Sequence, residues 1–123
     1  MSKILIRHAG APDQMLATHA RIAEHLLERV VGLLGRASLE AGEALVFPRC
    51  RAIHTVGMRF PIDVMFIDQA WRVVALNPSV PPGRLLGPIR SAWGTIEMAS
   101  GAIQRCQLNV GEQLDLIDAA NTS

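Results

Sequence analysis

The chain has 123 residues, 50% hydrophobic and 19% charged, which suits one globular domain with a filled interior rather than a disordered chain, and a second domain would not fit. Its formal net charge is +1, with three phenylalanines, two tryptophans and no tyrosine, so neither a global field nor a row of rings points to nucleic acid or an acidic membrane. No apolar run reaches the roughly 18 residues of a membrane span, and the apolar stretch of MSKILIRHAG is too short for a secretion signal, so a soluble, cytoplasmic protein is expected.

In chain order, KILIRH at residues 3–8 is a short β-like run ended by Gly10 and Pro12. From Thr18 the apolar period becomes helical. Ile22, Leu26, Val30 and Leu33 make one stripe, with Arg21, Glu24, His25, Glu28 and Arg29 opposite, which predicts an amphipathic helix over 18–34 that starts at Thr18 and stops at Gly35. After Gly42 the pattern is β-rich, with strands predicted at 44–47, 52–58, 62–67, 72–76, 91–98 and 113–117 and turns at Pro48, RFP, DQA, NPSVPPG and NVG. Residues 99–105 read as a short helix. A mostly β (α+β) fold follows: a small β-sandwich or barrel-like domain over 1–123, with one N-terminal amphipathic helix and a short C-terminal one.

Charge is uneven along the chain. Eleven of the twelve cations are arginine, and residues 46–96 hold Arg49, Arg51, Arg59, Arg72, Arg84 and Arg90 against Asp63 and Asp68, while the tail is acidic. The four histidines and two cysteines show no Cys-x-x-Cys and no His-Glu-x-x-His spacing, so neither a metal nor another cofactor is expected. Cys50 lies between Arg49 and Arg51, a setting that can activate a thiol; a buried structural cysteine is the plainer reading. His54 is too far to be its base if 50–54 is extended, since four residues at ~3.3 Å each span about 13 Å.

Asp63 interrupts the apolar run of Ile62, Val64, Met65, Phe66 and Ile67, and a carboxylate there must be paired or hydrogen-bonded. A hairpin of 52–58 with 62–67 through Arg59, Phe60 and Pro61 would place Asp63 over Gly57, beside Thr55, with His54 on the opposite face. Two readings stand. In one, Asp63 is a scaffold residue bonded to the backbone of the MRFP turn; in the other, Asp63, Thr55, His54 and Arg59 converge on a small ligand. Glu97 is a second carboxylate within an apolar strand, and spacing does not say whether it meets Asp63.

GLLGRASLEAGEALVF, then IHTVGMRFPIDVMFID, WRVV, MASG and NVGEQL, resembles the Gly-Leu-Met/Leu-Gly-Arg segment, the His-Thr-x-x-Met-x-x-x-Ile-Asp-Val-x-Phe core and the closing Gly-Asp-x-Leu of domain-of-unknown-function family 192, an uncharacterised bacterial and archaeal family. The likeness runs from about Val31 to Leu116, with Glu112 where the family often has aspartate and Ala99 where proline is common. It implies a mostly β domain, marks Arg36, His54, Thr55, Met58 and Asp63, and implies no reaction. With Arg59 these are the candidate binding residues. The leading expectation is a non-catalytic domain that binds a small ligand or a protein partner at a polar patch. The alternative is a hydrolase or transferase with His54 or Asp63 as general base. Neither a membrane nor nucleic acid is expected as partner.

Overall fold

Six consecutive residues, Ile62–Ile67, are all buried, so this strand must be covered on both faces. The computed structural model describes residues 4–23 and 38–118. Its strands are β1 (Ile4–His8), β2 (Ala11–Ile22), β3 (Glu43–Phe47), β4 (Ile53–His54), β5 (Ile62–Ile67), β6 (Val73–Val80), β7 (Leu85–Leu86), β8 (Gly94–Ala99) and β9 (Leu114–Asp118), with one short helix, α1 (Ala102–Arg105), among the described residues. Seven strands form one mixed sheet in the order β6-β5-β8-β3-β2-β1-β9; β4 and β7 form a separate two-stranded ribbon. Every neighbouring pair is antiparallel except β2 with β3.

The sheet curls until its outer strands touch at one end. Arg72 bridges Gln113, Val73 N–H donates to Glu112 O at 2.8 Å, and Leu114 N–H donates to Trp71 O at 2.9 Å. Gly111 N–H also donates to Val73 O at 2.8 Å, but β6 and β9 form no ladder, so the expected barrel is corrected to one large sheet, not closed into a barrel. Side-chain alternation sends Ala44, Val46, Met65, Ile67, Ile96 and Met98 to the concave cluster shared with α1. Leu45, Phe47, Val64 and Phe66 go to the other face, where Cys50, Ile53 and Met58 of the ribbon layer cover them. Phe66 is fully buried, and its truncation to alanine is expected to cost about 3–5 kcal/mol.

Two further expectations are corrected here. Residues 18–22 lie in β2, paired parallel to β3 from His19 with Glu43 to Ile22 with Val46, so the first turn of the expected helix is strand. Pairing on both sides overrides local helical periodicity. The rest of that helix, with Gly35 and Arg36, lies outside the described residues. The short helix expected at 99–105 is present as α1.

The expected hairpin of 52–58 with 62–67 does not form. Ile53 and His54 pair with Leu86 and Leu85, while β5 pairs with β6 and β8. The chain turns earlier than RFP: Met58 N–H donates to Thr55 O at 3.2 Å, and Gly57 at φ 89° supplies the left-handed corner. Gly87, at φ 85°, lets the ribbon close, because a Cβ there would lie 2.5 Å from Arg51 O.

Candidate functional site

Asp63 opposes Met98 across β5 and β8, which directs it to the face that carries α1. It is fully buried, and both carboxylate oxygens are engaged: Oδ1 accepts Ser79 N–H at 2.8 Å and Gly101 N–H at 3.2 Å, and Oδ2 accepts Ile103 N–H at 2.8 Å. Gly101 is the residue before α1 and has no side chain with which to cap it. Asp63 therefore caps the helix from a distant strand, taking up donors that the first helical turn leaves without partners. These are backbone donors, as the scaffold reading requires, although none belongs to MRFP.

Thr55 is equally occupied. Its Oγ1 donates to Pro81 O at 2.8 Å and accepts Arg84 N–H at 2.9 Å, while its own N–H donates to Arg84 O at 2.8 Å. It is buried in the ribbon layer, where Met58 packs with Ile53 and Ile62. His54 and Arg59 face solvent, and Arg36 lies outside the described residues. The structure thus spreads the five described candidates over three places: Asp63 under α1, Thr55 and Met58 inside the ribbon layer, and His54 and Arg59 on the surface. Glu97 opposes Val64 and Leu45, so it is buried on the other face of the sheet from Asp63.

Cys50 is buried, with Sγ donating to Ala52 O at 3.1 Å, and Thr95 Oγ1 donates to Cys50 O at 2.8 Å. Cys106 belongs to the concave cluster and Cys50 to the opposite one, so the sheet separates the two free thiols. Among the described residues, no three His, Cys, Asp or Glu side chains gather as a metal site would require.

An open cleft of about 580 Å³ lies where three segments meet, with Arg49, Arg51, Gln69, Ser91 and Trp93 in its walls. Backbone bonds hold the segments together: Cys50 N–H donates to Trp93 O at 2.9 Å, Trp93 N–H to Ile67 O at 2.7 Å and Ile89 N–H to Arg51 O at 2.9 Å. Both arginines are exposed. Asp68 also lines the cleft, but its Oδ1 accepts Ala70 N–H and Arg72 N–H, each at 2.9 Å, and so holds the 68–72 turn. Arg49 at φ 53° and Trp71 at φ 64° are non-glycine residues in left-handed conformations at the margins. Trp71 and Trp93 meet edge to face, 6.1 Å between ring centroids, and stiffen one wall. Sequence reasoning missed this cleft as a site. The signal was present in the arginine-rich middle and in Arg49 and Arg51 on either side of Cys50.

The model of the family DUF192, described as Uncharacterized ACR, matches residues 8–116. The chain belongs to the DUF192 family. Two solved structures are similar to it: a protein from Sinorhizobium meliloti 1021 provisionally described as a transcription regulator, at TM-score 0.78 and 16% identity over 93% of this chain and 92% of that one, and a protein of unknown function from Novosphingobium aromaticivorans DSM 12444, at TM-score 0.75 and 17% identity over 91% and 82%. At such identities the likeness shows the fold. No match is found among curated proteins. In this DUF192 chain, the Thr and Asp of the family-like core help pin the far end of β6, Asp63 through Ser79 and Thr55 through Pro81 just beyond it. No described helix is long and apolar enough to cross a membrane.

Proposed function

We propose that this DUF192 domain is a non-catalytic cytoplasmic binding module and that its ligand is a small anion, a carboxylate or a phosphate, taken into the cleft between 49–51, 68–70 and 91–93. The observation that carries this reading is the pair of exposed guanidiniums, Arg49 and Arg51, set beside Ser91 and Trp93 while the carboxylate of Asp68 is held by backbone N–H groups. Arginine forks match the geometry of carboxylate and phosphate oxygens, and a rigid tryptophan wall gives the ligand's apolar part a surface. Both oxygens of Asp63 are bonded to backbone N–H groups, and His54 is not among the residues lining the cleft, so neither acts as a base on a ligand held there.

The test is a thermal-shift and calorimetric titration with inorganic phosphate and citrate. Binding that raises Tm in the native chain and is lost in Arg51→Gln and Arg49→Gln supports the cleft. Equal shifts in all three proteins, or none in any, would defeat it. A parallel titration with duplex DNA at low and moderate salt separates nucleic-acid binding, whose affinity falls steeply with salt.

A further inference from the structure

The ribbon of β4 and β7 ends in a convex tip. Val56 is 58% exposed at the corner of the 55–58 turn, and Leu85, 76% exposed, stands opposite His54. Leu85 is the most exposed large apolar side chain among the described residues. Along the segments that carry these two points, the exposed charges among the described residues are basic. Arg59 and Arg84 are exposed at the tip, Arg51 and Arg90 lie further along the ribbon, and no acidic residue occurs at positions 48–62 or 69–96.

Part of the tip's backbone is bonded within the tip. Gly83 N–H donates to Thr55 O at 3.0 Å, Met58 N–H to the same oxygen, Arg84 N–H to Thr55 Oγ1, and Pro81 and Pro82 have no N–H to offer. Each donor bonded within the loop lowers the cost of entering a medium poor in water. Exposed apolar points next to exposed arginines fit a soft anionic surface better than an extended peptide, which needs a groove or an open edge.

We propose that this tip docks on an anionic lipid bilayer, with Leu85 and Val56 entering the headgroup boundary and Arg59 and Arg84 contacting acidic headgroups. The proposal is independent of the cleft. It also runs against what the net charge of +1 leads one to expect, because the chain-wide sum conceals segments, 48–62 and 69–96, that carry arginines and no acid. Two short apolar side chains give weak, reversible attachment, strongest at low salt.

The experiment is co-sedimentation of the full chain with vesicles of equal parts phosphatidylserine and phosphatidylcholine, beside vesicles of phosphatidylcholine alone. The native chain is expected to pellet with the first and not the second. Leu85→Glu should lower partitioning about ten-fold, and Arg59→Gln and Arg84→Gln about five-fold each. All three positions are exposed, and unchanged melting curves show that the variants fold. Equal pelleting with both vesicles, partitioning indifferent to Leu85→Glu, or binding to duplex DNA or polyglutamate without vesicle binding would each overturn the proposal.

Discussion

Asp63 Oδ2 lies 2.8 Å from the backbone nitrogen of Ile103, joining the middle of a central strand to the first turn of α1. The same carboxylate holds Ser79 and Gly101, so one buried side chain fixes β6, the approach to α1 and the helix itself. Replacing it leaves backbone donors without partners where water does not reach. Asp63→Ala is expected to lower stability by about 2–4 kcal/mol in urea melts, with Asp63→Asn losing less because one oxygen remains. A melt unchanged in Asp63→Ala would show that these bonds do not support the fold.

Thr55 offers a finer test, since valine keeps its shape and removes its hydroxyl. Thr55→Val should cost about 1–2 kcal/mol and speed hydrogen exchange at Gly83 and Arg84, whereas Thr55→Ser should keep protection near the native level. Loss of protection in the serine variant as well would assign the effect to the methyl group and its packing.

Both thiols are buried, and the sheet lies between them. Ellman's reagent should therefore label neither cysteine in the native chain and both after unfolding, with no disulfide formed under mild oxidant. Rapid labelling of Cys50 alone would contradict the burial and restore an activated thiol.

The centre of the sheet is legible in the sequence. Residues 62–67 read as a buried strand because their apolar run is short, β-branched and bounded by Pro61 and Asp68, and the short helix expected over 99–105 is found at 102–105. Partners are not legible. The donors that Asp63 accepts lie 16, 38 and 40 residues away, so a carboxylate in an apolar run looks like a site until those distances close. The hairpin fails for a local reason, the earlier turn at Gly57; the helix start fails for a distant one, the parallel pairing with β3. The cleft needs three segments brought together, and only the arginines announce it.

His54 and Asp63 occupy different environments, one facing solvent and one sealed under α1. Their double alanine variant should lose the sum of the single losses within about 0.5 kcal/mol. His8 and Glu112 are the contrasting pair: His8 Nε2 meets Glu112 Oε2 while His8 Nδ1 accepts Gly10 N–H at 2.9 Å. A cycle on that pair should give a coupling above ~0.5 kcal/mol. Additivity there, or strong coupling at His54 and Asp63, would contradict the placement of the residues concerned.

The incomplete closure of the sheet bears on how the protein behaves in a crowd of its own copies. Among the described residues, a curled sheet that stops short of closing leaves two margins, β6 and β9, and a free margin is a template on which another chain can extend the ladder. Both margins are blunted. Pro78 removes a donor from the middle of β6, whose pairing with β5 also slips register at two points, and Asp115 puts charge on β9. The bridge of Arg72 with Gln113 holds the two margins against each other at one end, so a second molecule finds no long, flat, uncharged run to join. Features of this kind disfavour edge-to-edge pairing, and they lie on the same strands that touch at one end without closing the sheet.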